Sequence, residues 1–202
     1  MNRFLNKLKL KHFIIFMLIA LIVFFAILLL FGFFYAPSKI EGKSMENTIY
    51  DSDWLIIDRT KIKIDQLEYG DIIIMRGEPK KFTLLKFLND SQFAKHFLPS
   101  AIGEDWIKRI VTVEGDVVEL LNDSIHVNGV RLIEPYIKER NSTYDIGLIK
   151  FPYIVPENEF FIMGDNRLGS YDSRNIGSIK SEEIIGTSNF RIWPLTRFGK
   201  FD

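Results

Sequence analysis

The 202-residue sequence has no cysteine and only three histidines, His12, His96 and His126. Without cysteine there is no disulfide framework, no thiolate-ligated zinc, no iron–sulfur cluster and no cysteine nucleophile. The absence leaves the compartment open, because a reducing cytosol and an oxidising exterior both tolerate it. Three scattered histidines are little material for a metal site or a histidine-based triad, and no HExxH or other paired-histidine spacing occurs. Net charge is missing as well, since 26 Lys and Arg balance 26 Asp and Glu. That zero averages over unlike segments.

Charge is absent altogether from residues 13–36, Phe13 to Ala36, where only Gly32 falls outside the hydrophobic class. A helix of that length reaches roughly 36 Å, enough to cross a hydrocarbon core of about 30 Å with some tilt. A core helix of a soluble domain would show a polar face, and this run shows none. A cleaved signal peptide would have a shorter apolar region ending in a small-x-small site, whereas this run ends in Phe33, Phe34 and Tyr35. The pattern predicts a transmembrane helix over 13–36, with Tyr35 as an interfacial anchor. Residues 1–12 carry Arg3, Lys7, Lys9 and Lys11 and no acid, which by the positive-inside rule keeps the N-terminus cytoplasmic. Residues 37–202 then form an extracytoplasmic domain. Removing the four tail cations leaves it 22 basic against 26 acidic residues, a mildly acidic balance that argues against nucleic acid as a partner.

That domain reads as mainly β. Trp54–Ile57, Asp71–Met75, Trp106–Val113, Val117–Leu121, Ile125–Val127, Phe160–Met163 and Ile184–Trp193 are short runs rich in Ile, Val and aromatics, bounded by Gly, Asp and Asn. Glu114-Gly115-Asp116 and Asn128-Gly129 are turn signals, and the second makes Leu120 to Leu132 a hairpin. The expected architecture is one N-terminal transmembrane helix followed by a mostly antiparallel β domain. Two segments stand apart. Lys80 to Asp105 does not alternate cleanly and suits helical turns or a loop-rich insertion, its apolar residues serving either a local core or a membrane-surface contact. Lys138 to Lys150 reads as a second, flexible insertion. Asn89, Asn122 and Asn141 each begin a glycosylation triplet, a pattern frequent by chance.

Several familiar chemistries fail on the sequence. There is no G-x-S-x-G elbow and no S-x-x-K. Gly42-Lys43-Ser44 lacks the first glycine of a phosphate loop, Pro37 standing in its place. Asp165-Asn166-Arg167 lacks the glycine a calcium loop needs at its sixth position, which is Ser170. What remains is an ordered set of short segments: Gly42 to Thr48 just after the apolar run, Tyr69 to Ile73, Lys108 to Val111 with Glu114-Gly115-Asp116, Gly164 to Arg167 with Ser170, Asp172-Ser173-Arg174 and Gly177, and Arg191 to Leu195. Together they resemble the type I signal peptidases, a family of Ser/Lys serine proteases. The likeness runs from the apolar run to the C-terminal end, apart from the two insertions.

The resemblance implies that Ser44 is the nucleophile and Lys108 the general base. It implies that Ser170 orients the Lys108 ammonium, that Asp172 and Arg174 form a supporting ion pair, and that Asp165 belongs to the same supporting group. Gly42 stands where some members carry a hydroxyl donor for the oxyanion, so backbone donors such as the Ser44 N–H must serve instead. Met45 is expected to line shallow pockets for small side chains. The implied substrates are exported preproteins, cut after an Ala-x-Ala segment added as a strand to the domain edge. No cofactor or metal is implied, the lipid bilayer is the other partner, and nothing readable encodes an oligomeric state. One position departs from the pattern: Asn47 replaces the usual Pro, which frees φ and adds a donor, so a looser loop is expected.

The chemistry is self-consistent. A serine hydroxyl needs a base beside it, and a lysine must be neutral to serve. At pH 7 neutralising a solvated lysine costs roughly 4.6 kcal/mol, and burial among apolar groups reduces that cost. Strand alternation puts Lys108 on one face with Trp106 and Ile110, and Ile107 and Arg109 on the other. Taken alone, Lys108 reads as a solvated strand residue and Ser44 as a loop serine or helix cap; the ordered segments raise both. Two other readings remain: a noncatalytic assembly factor for surface proteins on a peptidase scaffold, which Asn47 weakly favours, and a self-cleaving repressor-like domain, which the apolar run disfavours.

Overall fold

The computed structural model describes residues 2–60, 64–77, 105–140, 142–146 and 148–201. The chain divides into two units, residues 1–35 and 36–202. The first is a single helix, α1, Asn2–Phe34. Its Leu10–Phe34 stretch is long and apolar enough to cross a membrane, and none of it is buried inside the protein. The helix begins well before Phe13 and runs through the basic tail, because the backbone ladder continues past charged side chains that only the hydrocarbon would reject. It ends at Phe34, and Tyr35 opens the first strand, its ring stacked on Phe31 at 4.8 Å.

Among the described residues the second unit is built from β1 (Tyr35–Lys39), β2 (Trp54–Asp58), β3 (Ile72–Arg76), β4 (Asp105–Thr112), β5 (Val117–Leu121), β6 (Ser124–Val127), β7 (Val130–Arg131), β8 (Tyr153–Ile154), β9 (Glu159–Met163), β10 (Ile179–Lys180), β11 (Ile184–Trp193) and β12 (Gly199–Lys200), with one short α-helix, α2 (Ser173–Ile176), and a few 3-10 turns. The larger sheet has the order β1-β2-β11-β3-β4-β9-β10, with β12 paired to β11; the smaller has the order β7-β6-β5-β8. From β2 to β10 neighbouring strands run antiparallel.

β3 and β4 lie centrally and carry the site. Ile72 to Met75 and Ile107 to Thr112 are buried without interruption. A strand covered on both faces reads as a continuous apolar run rather than an alternating one. One face contributes Ile73, Ile110, Phe160 and Ile162 to a core that Trp106 borders. The other contributes Ile72 and Ile107 to a second core with Ile40, Met45, Ile49 and Leu55. A third core joins β4 and β9 to the small sheet through Val111, Phe161, Val118 and Ile125.

The small sheet corrects the hairpin reading. Asn128 and Gly129 take φ of 52° and 77°, as a tight hairpin turn requires. Asn122 and Asp123 do the same, at 50° and 55°. Asn and Asp tolerate this left-handed region, so Leu120 to Leu132 holds two successive hairpins rather than one. The described residues of Lys138 to Lys150 form no helix or strand, but Ser142 and Thr143 are tied down. Ser142 and Thr143 are buried, and the Thr143 N–H donates to Asp123 O at 3.2 Å. Residues 80–104, with Asn89, and residue Asn141 lie outside the described residues.

Gly186 fixes the approach of β2 and β11. A Cβ there would sit 2.6 Å from Asp58 O and 2.8 Å from Ile57 Cγ2. Gly186→Ala should therefore lower stability by about 1–3 kcal/mol, read as a lower urea midpoint at unchanged slope.

Candidate active site

The loop between β1 and β2 presents Ser44. Its base is closed by Ile40 N–H to Asp53 O and Ser52 N–H to Ile40 O, both at 2.8 Å. Within it, the Ile49 N–H reaches Met45 O at 2.8 Å, forming one turn of helix-like chain. Met45 and Ile49 pin that turn to the second core. Ser44, the residue before Met45, is left half-buried at the surface. Met45 is only 2% exposed. It anchors the turn to the core, because an apolar side chain at the root of the turn gains more from the core than from solvent. Gly42 takes φ of 110°, which suits glycine, and its N–H donates to Asp51 Oδ1 at 2.9 Å. That engaged N–H is not a free oxyanion donor.

Lys108 lies in β4 opposite Ile73 of β3 and is 4% exposed. Its Nζ donates to Ser44 Oγ at 3.0 Å and to Ile107 O at 3.0 Å. The Trp106 ring lies 6.0 Å away on the same face, as alternation required. Burial pushes the Lys108 pKa down from 10.5 to about 8, against the opposing pull of Asp172. A hydroxyl beside an amine whose pKa is lowered toward neutrality is the arrangement that nucleophilic catalysis by serine requires.

The segment after β9 grips the Ser44 loop. The Asn166 N–H donates to Ser44 O and Asn166 Nδ2 to Lys43 O, each at 3.0 Å. A Cβ on Gly164 would lie 2.4 Å from both Ser44 O and Ser170 Oγ, so no larger residue fits. Ser170 Oγ is buried here without a hydrogen-bond partner. The expected bond from Ser170 to Lys108 is not formed, because the ammonium is turned to Ser44 and to the Ile107 carbonyl instead.

Asp172 and Arg174 do pair, Nε to Oδ1 at 2.9 Å and Nη2 to Oδ2 at 3.0 Å, both buried. Asp172 also caps α2 and accepts the Gly164 N–H at 3.1 Å, so the pair fixes the shape of the gripping segment. Asp165 has a partner the sequence reading did not name: Arg109, which donates Nε to Oδ1 at 2.9 Å and Nη2 to Oδ2 at 2.8 Å. Arg109 also donates to Gly70 O at 2.8 Å and stacks on Tyr136 at 4.0 Å. Two more buried pairings were missed, Arg167 with Glu134 at 2.5 Å and Arg191 with Asp53 at 2.8 Å; the half-exposed Arg197 also reaches Asp53, at 2.7 Å. The signal was present: a cation inside an apolar strand such as Ile107–Val111 demands a buried partner, although no spacing rule says which.

Asn47 corrects another expectation. Its φ is 100°, and its Nδ2 donates to Tyr136 O at 2.9 Å. The added donor ties the loop down where looseness was expected. Among the described residues no group of three His, Cys, Asp or Glu could hold a metal ion.

Known proteins share this chain's pattern. The family "Signal peptidase, peptidase S26" matches residues 10–193. A signal peptidase I of Bacillus amyloliquefaciens is 33% identical over 177 residues, covering 83% of this chain and 78% of the relative. A signal peptidase I P of Bacillus subtilis subsp. natto is 34% identical over 183 residues, covering 86% and 84%. A crystal structure of a signal peptidase I from Enterococcus faecalis V583 is 25% identical, with a TM-score of 0.42, over 62% of this chain and 98% of the other.

A buried lysine with a lowered pKa destabilises the fold it serves. The penalty is absent above the ordinary value of 10.5, grows as pH falls, and is complete below about 8. Lys108→Met should therefore be more stable than the parent by up to about 3 kcal/mol at pH 7, an advantage that fades toward pH 10.5 in urea unfolding.

Proposed function

The chain belongs to the signal peptidase family, peptidase S26, and from that premise we propose that it removes signal peptides from exported preproteins by a Ser44/Lys108 acyl-enzyme mechanism. The observation that carries this reading is the 3.0 Å contact between Ser44 Oγ and a buried Lys108 Nζ whose pKa is lowered to about 8.

Neutral Lys108 accepts the Ser44 proton as Oγ attacks the scissile carbonyl carbon. The carbonyl π pair moves onto oxygen, where the Ser44 backbone N–H faces it as the first donor. Collapse expels the amine of the mature protein, which takes the proton back from the Lys108 ammonium. The acyl-Ser44 ester remains. Lys108 then accepts a proton from water, whose hydroxide attacks the ester. The signal peptide leaves with a new carboxylate, and Ser44 recovers its proton. One group thus serves alternately as base and acid, the logic of a triad with lysine in place of histidine.

Cleavage follows small residues at −1 and −3, with the substrate bound as an extended strand. The Leu10–Phe34 stretch anchors the enzyme to the bilayer, and Arg3, Lys7, Lys9 and Lys11 keep the N-terminus cytoplasmic, so residues 37–202 work on the outer face. Because signal peptides are themselves embedded, tethering raises the effective concentration of enzyme at its substrate.

Ser44→Ala and Lys108→Met should each reduce preprotein cleavage in detergent by at least about 10⁴-fold; parental activity in either variant sinks the dyad. Only neutral lysine accepts the proton, so kcat/KM should rise with pH through about 8, and a flat profile from pH 6 to 10 contradicts a lysine base. Replacing Ala at −1 or −3 of the preprotein with Leu should abolish cutting, while equal rates on both substrates would refute the specificity.

A further inference from the structure

The Ser44 loop is held from below by Met45 and Ile49 in the core, and from behind by the Asn166 contacts to Ser44 O and Lys43 O. A third hold comes from residues 134–138. The Tyr136 ring lies over the Arg109 guanidinium at 4.0 Å, and its hydroxyl donates to Glu134 Oε1 at 3.0 Å. The Lys138 N–H donates to Asp165 O at 3.0 Å. This strap is therefore fixed to the same Arg109–Asp165 pair that stands beside the gripping segment.

Two contacts reach from the strap to the loop. Lys138 Nζ pairs with Glu46 Oε2 at 2.6 Å, but Lys138 is 40% exposed there, and such surface pairs contribute little. The other is the Asn47 carboxamide on Tyr136 O at 2.9 Å, also exposed, but fixed to backbone rather than to a mobile side chain. Asn47 holds φ at 100°, a conformation that side chains other than glycine rarely adopt. Strained backbone of this kind persists only where the surroundings impose it. Asn47 is also followed directly by Thr48, whose hydroxyl donates to Asp165 Oδ2. Ser44 is thus suspended between the Asn166 contacts on one side and the Asn47–Thr48 contacts on the other. A displacement near 1 Å between reacting groups is enough to slow a reaction about 100-fold.

We infer that Asn47 is a positioning residue for Ser44: its carboxamide ties the nucleophile loop to the Tyr136 strap and so keeps the hydroxyl in register with Lys108. The inference rests on the Ser44/Lys108 reading above.

Two substitutions in the full-length protein in detergent test it. Asn47→Asp has the same shape and tolerates positive φ, but it turns an acceptor toward the Tyr136 carbonyl. Asn47→Gly takes the backbone angle freely and has no amide. Both should lower kcat on a preprotein about tenfold, with KM and the pH dependence of kcat/KM unchanged, a split that mere loss of fold would not give. Both should also speed amide hydrogen exchange in residues 44–49 about tenfold, with β3 and β4 exchanging at the parental rate. Parental kcat with parental loop exchange in Asn47→Asp overturns the inference, and so does a fall in kcat that comes with a displaced pH limb, which would place the effect at Lys108. The exchange measurement needs no turnover. A parent inactive on preproteins would count against the proposed function, while unchanged loop exchange in the variants would count against the role of Asn47.

Discussion

Two adjacent cations are buried in one strand, and the site depends on how differently they are satisfied. Arg109 receives a full carboxylate, with two hydrogen bonds from its guanidinium to Asp165. Lys108, one residue earlier and on the opposite face, receives a hydroxyl and a carbonyl oxygen. The first environment retains charge and the second discourages it. A guanidinium is effectively never deprotonated, whereas an ammonium yields its proton readily when desolvated. β4 therefore places a permanent charge and a removable one back to back. The permanent one organises the surrounding chain, and the removable one is the group on which the proposed chemistry turns.

The buried carboxylates follow the same division. Asp165, Asp172, Glu134 and Asp53 each pair with arginine, and each of those pairs also binds loop backbone in the Ser44 loop or the segments that hold it. Buried ion pairs are weak evidence for net stability, since desolvation offsets much of the attraction. Their value here is geometric. Loops without regular structure are given fixed positions by bidentate contacts with narrow angular tolerance.

What could be read from the sequence followed from local pattern. The uncharged run at 13–36, the short Ile- and Val-rich strands and the turn at Asn128-Gly129 depend on neighbouring residues alone, and each has its counterpart in the structure. Alternation placed Trp106 beside Lys108 and turned Arg109 away for the same reason. The failures involve contacts between residues far apart in the chain. Met45 follows the nucleophile, yet its place is decided by Ile72 and Ile107. Ser170 was assigned by likeness to Lys108, but it faces Gly164. Asn47, where a looser loop was expected, donates to a carbonyl 89 residues away. The partner of Arg109 lies 56 residues downstream, and no periodicity could identify it.

The absent side chain at Gly164 has a consequence for how this region can vary. Because Ser44 O and Ser170 Oγ both crowd the space a methyl group would take, the loop after β1 and the segment after β9 interlock like key and ward. A larger residue at position 164 would therefore have to move one of the two segments. The two stretches are more than 100 residues apart in the chain, yet the shape of each is cut to the other.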